Sequence, residues 1–239
     1  MATPTRMRSW CATAIIACVL PIAVNGQGRP LTVAEVTQVF YSGGDEAGWD
    51  EFMVPKFVAA AYGPRAKSAL EEILREPSTP QNYYVQLEAL TAAQYPRVGV
   101  STDIVRLFAG HGKSMSLPPE ISGILRQRAI KALSTHPDPN LTSFWDSLAS
   151  DPNPMFRQFV AFGIACALGD DARARLQTLA STNDSVAVRQ SNRALQELGK
   201  GASGRVCGES TRLGAPTFPA DLPENLRLRG RGLLQRIPQ

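Results

Sequence analysis

The sequence predicts an all-α protein of stacked helical hairpins, about four to five of them, and three observations carry that expectation. Between Leu31 and Leu198 apolar residues recur at helical spacing almost throughout, and no run alternates as a half-buried strand would. Start and stop residues punctuate this stretch into helices of roughly 10 to 15 residues. A phrase of apolar residue, Arg and Gln then appears three times, as Leu125-Arg126-Gln127, Phe156-Arg157-Gln158 and Val188-Arg189-Gln190. Its arginines stand 31 and 32 residues apart. Two helices per unit at such a period mean an array, because one hairpin cannot bury its apolar face alone and must share a core with its neighbours.

The elements follow in order. Thr32 and Glu35 make a capping box ahead of Val36, Val39 and Phe40. Pro64 and Pro119 suit a first helical position, where the missing amide would have had no intrahelical partner. The segment from Val98 to Pro119 separates two units and adds a short helix at Asp103 to Phe108. Asp138-Pro139 and Asn153-Pro154 each read as N-cap followed by first residue. The helix after Asn153 runs on to Gly169 with one residue more than its counterparts. Asp170 and Asp184 are placed to cap the next two helices, and Gly169 and Gly199 suit helix ends. A shorter helix precedes each of the last two repeats, carrying Leu141, Phe144, Trp145 and Leu148 in one and Leu176 and Leu179 in the other.

Both ends read as separate from this array. Arg6 and Arg8 precede a short apolar stretch from Trp10 to Leu20, broken by Pro21 and followed by Val24-Asn25-Gly26. That is the pattern of a secretory signal, residues 1–26, cleaved between Gly26 and Gln27. Retention as an anchor is the alternative, and a lipoprotein reading at Cys18 suffers from the apolar residues that follow it. From Lys200 to Gln239 the chain has six Gly, four Pro, seven basic and three acidic residues and no sustained periodicity, the composition of a disordered tail. The whole chain of 239 residues carries +4, yet residues 27–199 carry −2, because the ends hold the excess of cations. A slightly acidic folded part argues against nucleic-acid binding. No internal run reaches the roughly 18 apolar residues of a membrane span.

Signal cleavage removes Cys11 and Cys18 and leaves Cys166 and Cys207. An oxidising compartment permits these two to pair. The sequence favours the other reading, with Cys166 a small core residue in an apolar helix and Cys207 part of the tail.

The phrase Asp151-Pro152-Asn153-Pro154-Met155-Phe156-Arg157, running on to Ala165-Cys166-Ala167-Leu168-Gly169-Asp170, resembles a HEAT-like repeat. More narrowly it is similar to the short HEAT-like repeats of phycobilisome lyases. Asp184-Ser185-Val186, Val188-Arg189 and Ala194 to Gly199 carry the same phrase, as do Leu125-Arg126 and Ala132-Leu133. The resemblance is good for residues 120–199, loose for 50–119, and fails for 27–49 and the tail. It implies an α-solenoid, and it implies that an acid before the second helix, such as Asp151 or Asp184, pairs with a repeat arginine of a neighbouring unit. Arg126, Arg157 and Arg189 are then structural partners and not an anion-binding ladder. The family serves mainly as a binding scaffold.

Candidates for chemistry are few. Ala109-Gly110-His111-Gly112-Lys113-Ser114 ends like a phosphate-binding loop, but Leu107 stands where that loop needs its first Gly, and no strand precedes it. His111 and His136 are expected to be ordinary loop histidines. No nucleophile motif, metal-ligand spacing or cofactor motif is visible, so no catalysis and no cofactor are expected. Trp145, Tyr83 and Tyr84 are the candidate partner-binding residues, since aromatic side chains dominate interface hot spots. They dominate cores as well. The expectation is an exported, secreted or periplasmic monomer that acts as a scaffold or adaptor for a protein or peptide. The alternative is an accessory or lyase-like enzyme on the same scaffold.

Overall fold

The computed structural model describes residues 28–47, 53–110, 116–200 and 207, and among them the chain is all helical, with no strand. The helices are α1 (Val33–Ala47), α2 (Met53–Ala61), α3 (Lys67–Arg75), α4 (Tyr83–Ala92), α5 (Thr102–Ala109) and α6 (Pro119–Leu133). They continue as α7 (Thr142–Leu148), α8 (Pro154–Arg157), α9 (Val160–Leu168), α10 (Arg173–Ala180) and α11 (Ser185–Gly199). None is long and apolar enough to cross a membrane. The signal segment, the stretch from His111 to Met115 and the tail beyond Lys200 lie outside the described residues, Cys207 excepted.

Local chemistry starts most of these elements where the sequence places them. The Thr32 amide donates to Glu35 Oε2 at 2.8 Å while the Glu35 amide donates to Thr32 Oγ1 at 3.3 Å, so the capping box closes in both directions. Pro119 is the first residue of α6. Asn153 Oδ1 accepts from the Met155 amide at 2.9 Å, and Asp184 Oδ1 accepts from the Val186 and Ala187 amides at 2.9 and 3.3 Å. Asp170 departs from expectation. It lies inside a 3₁₀ turn, Gly169–Ala172, that precedes α10, so Ala172 takes the cap position and Asp170 pairs instead with Arg173 at 2.8 Å. Gly169 opens that turn at φ +58°, a conformation that costs a residue with a Cβ.

The helix expected to run unbroken from Asn153 to Gly169 is two helices. Gln158 and Phe159 form a turn between α8 and α9. The Phe159 amide donates to Phe156 O at 3.2 Å before helical bonding resumes with Gly163 to Phe159 O at 2.9 Å. The break takes up the extra residue, and Phe156 before it and Val160 after it are both buried.

Packing runs from one helix to the next. In the first part α1 lies against α2 and α3, and α4 contacts α1, α2, α3 and α6. Residues Val85 to Ala93 are all buried, as befits a helix with neighbours on every side. Two of its polar side chains bond to nearby carbonyls. Gln86 Nε2 donates to the carbonyls of Ile73 and Glu76 at 3.1 and 2.8 Å, and Thr91 Oγ1 donates to Leu87 O at 2.8 Å. Further along, α5 packs on α6, α7 on α9, α9 on α11 and α10 on α11. One contiguous apolar core joins these parts, from Leu31 to Leu198.

Two corrections concern the core. Trp145 is fully buried, in edge-on contact with Phe144 at 4.9 Å between ring centroids, and it rests on the Cα of Gly163 in α9. It is a packing residue and presents nothing to a partner. Cys166 and Cys207 form a disulfide, and both are buried. The lone-core-residue reading of Cys166 therefore fails. Composition reveals that Cys207 follows a Gly-rich stretch, but not that the chain returns to α9.

Candidate functional site

The three repeated arginines mark out the site region. Arg126 on α6 donates through Nη2 to Asp151 Oδ2 at 2.7 Å and through Nε to the Ala109 carbonyl at 2.9 Å, with its guanidinium 4.3 Å from the centroid of the Phe156 ring. Arg157 on α8 donates through Nε to Asp184 Oδ2 at 2.6 Å and through Nη1 to the carbonyls of Asp151 and Pro152 at 2.6 and 3.0 Å. Each aspartate thus takes an arginine from the preceding repeat while its other oxygen holds the start of its own segment. Arg157 and the amides of Val186 and Ala187, working against partial desolvation, hold the Asp184 carboxyl below the usual carboxylate range. Arg189, the third member, is exposed and forms no ion pair among the described residues.

Replacing Arg157 with Ala is expected to cost about 1.5 to 3 kcal/mol, because a largely screened charge-assisted bond and two carbonyl contacts are lost together. Arg175→Ala removes the exposed pair with Asp146 and is expected to cost at most about 1 kcal/mol. Thermal melts of the two variants give this contrast directly. The sign of the pH effect follows from Asp184: its native pKa is depressed, so its contribution is present above 3.8 and is lost as pH falls through the lower native value.

Outward from these pairs, α6 shows Ile124, Gln127, Arg128 and Lys131, the α8–α9 segment shows Met155, Gln158, Phe159 and Phe162, and α11 shows Arg189, Asn192, Arg193 and Gln196. Ile124 and Met155 are 48% and 52% exposed. Each stands two residues before a repeat arginine, a regularity already present in the sequence. Tyr83 and Tyr84 are half-buried, and Tyr84 stacks at 5.6 Å on the exposed Tyr41 at the other end of the molecule. The structure therefore does not bring the three named aromatics into one surface.

A small recess of about 10 Å³, room for about one water, opens where Arg157 of α8, Val160 of α9, Leu179 of α10 and Ala187 and Ser191 of α11 meet. Ser191 Oγ is buried there without a hydrogen-bond partner among the described residues. The residues around it supply a cation and a hydroxyl. No group of three or more His, Cys, Asp or Glu side chains among the described residues converges as a metal site would.

His136 lies in the loop after α6, as expected, yet it is not an exposed loop histidine. It is buried, with Nδ1 2.9 Å from the Ala132 carbonyl, to which it donates, and Nε2 enclosed without a partner. Burial pushes its pKa below 6.5, against the opposing pull of that carbonyl and of Asp138. The unfolded chain then binds a proton that the native ring refuses, so stability falls as pH drops below 6.5. Melting temperatures measured on either side of that pH are expected to diverge in the parent and to converge in His136→Asn.

Compared with protein-family models, with curated proteins and with solved structures, the chain matches none.

Proposed function

We propose that this chain is an exported HEAT-like repeat protein, a short α-solenoid that serves as a scaffold or adaptor for a protein or peptide partner and performs no catalysis of its own. The observation that carries the reading is the pair of successive Arg–Asp contacts, Arg126 with Asp151 and Arg157 with Asp184, which tie consecutive segments at the same repeat phase. Large apolar side chains, Ile124 and Met155, stand exposed at matching positions beside them. Repetition of exposed apolar groups along a packed array is how such arrays present a binding face. Export is supported by the signal-like first 26 residues and by the buried Cys166–Cys207 bond, which persists in oxidising compartments.

The test is affinity capture with the exported protein, followed by measurement of direct binding to each recovered protein in purified form. A stoichiometric partner whose binding weakens in Ile124→Asp or Met155→Asp is the expected result. If no protein binds, and a small molecule instead raises the melting temperature through the Arg157–Ser191 recess, the scaffold reading fails in favour of an enzyme-like one.

A further inference from the structure

Three polar side chains anchor the elbow that follows α6. The Thr135 hydroxyl donates to the Gln94 carbonyl, just past the end of α4, at 2.6 Å. The His136 ring donates through Nδ1 to the Ala132 carbonyl of α6 at 2.9 Å. Asp138 Oδ2 accepts from the hydroxyl of Thr102, the first residue of α5, at 2.8 Å. Residues 135–138 thus fasten the end of α6 to the end of α4 and to the start of α5. Pro137 and Pro139 flank Asp138 and restrict the backbone on both sides of it, so the elbow moves as a stiff piece. At its centre the His136 ring is buried, with Nε2 enclosed and unpartnered among the described residues.

We propose that this elbow is an acid-operated latch: a proton on the His136 ring drives it out of the core, and its departure breaks the Thr135–Gln94 and Asp138–Thr102 bonds and frees the start of α5. The proton creates a second N–H in a place that offers it no acceptor, and a buried donor without an acceptor is costly. Outside, water satisfies that group. The elements around the elbow carry Glu88 on α4, Tyr95 and Arg97 after it, Asp103 and Arg106 on α5, Lys131 on α6 and Asp146 on α7. The charge that acts on the ring is that of Asp138, and it favours the protonated form. Opening is local, because the elbow's bonds reach only α4, α5 and α6. The far end is held separately, by Arg157 with Asp184 and by the Cys166–Cys207 bond. None of this depends on the scaffold reading.

Hydrogen exchange of the full chain, corrected for the pH dependence of the intrinsic rates, tests the latch. The amides of Thr135, His136 and Leu141 in the elbow, and of Ile104 and Val105 in α5, are all hydrogen-bonded. Below 6.5, the ordinary value for the ring, their opening is expected to rise together by about tenfold per pH unit, the slope of one proton. The Val188 amide of α11 is expected to stay protected. In His136→Asn the slope is expected to vanish, whereas His111→Asn keeps it. Thr102→Val cuts the tether and leaves the ring in place, so exchange at Ile104 and Val105 is expected to rise at every pH while the slope at His136 persists. Should His136→Asn fail to fold, titration of the parent's His136 ring by NMR replaces it, and the ring is expected to charge in step with the opening. A slope that survives in His136→Asn, or a ring that charges without opening, overturns the proposal. So does protection lost in α11 in parallel with the elbow, which is global unfolding. Indifference of Ile104 and Val105 to pH or to Thr102→Val separates α5 from the elbow and overturns it too.

Discussion

Replacing Cys166 and Cys207 together with serine is expected to lower stability by roughly 4 kcal/mol, the loop-closure value for a span of this length. The bond links positions 41 residues apart, and the loop between them contains α10 and α11 whole. Cutting it frees the last two helices in the unfolded chain and removes a covalent tie to α9 in the native one. The loss is therefore expected to concentrate at that end: hydrogen exchange rises in α10 and α11 first, while α4, buried on all sides, stays protected. Reduction of the parent with dithiothreitol lowers the melting temperature in parallel and has no effect on the double variant. An equal melting temperature for oxidised and reduced parent would show that the bond carries no stability.

The second large effect lies where Trp145 meets Gly163. A Cβ at position 163 would fall inside contact distance of the indole six-membered ring, and Trp145 is fully buried with no room to retreat. In an open helix, Gly to Ala would be stabilising by about 1 kcal/mol. Here Gly163→Ala is expected to destabilise by about 1 to 3 kcal/mol, because overpacking displaces a rigid ring. Trp145→Ala is expected to cost about 3 to 5 kcal/mol through the cavity it leaves. The two are coupled: in Trp145→Leu the smaller side chain makes room, and adding Gly163→Ala becomes neutral or favourable. Denaturant titration of the four proteins measures that coupling, and simple additivity would place Trp145 away from Gly163.

What could be read in the residues was local. The Thr32–Glu35 box, Pro119 and the caps at Asn153 and Asp184 act through bonds that span two or three residues, so their spacing in the chain already contains their geometry. Absence of strand alternation likewise gave the all-helical class. The chain folded differently where a neighbour intervened. Phe144 and Trp145 are adjacent in α7, and periodicity could not tell which of them faces inward; the bare Cα of Gly163 on another helix settles it in favour of Trp145. The helix after Asn153 breaks at Gln158 and Phe159, a turn that the helical spacing of its apolar residues does not announce.

The candidate surface divides in the same way. The arginine phrase and its 31- and 32-residue steps lie open in the sequence, and so do Ile124 and Met155 two places before it. Exposure is a property of packing, and the chain alone does not show that these two stay outside while Tyr83 and Tyr84 are half covered and Trp145 is enclosed. The sequence by itself determined the helical class and the caps at Thr32, Asn153 and Asp184, because each depends on contacts within a turn or two of the chain. Tertiary structure alone decided which aromatic is core, that Cys207 returns to Cys166 and that His136 is buried. Each of those depends on which distant side chain occupies the neighbouring space, and that is fixed only once the helices have stacked.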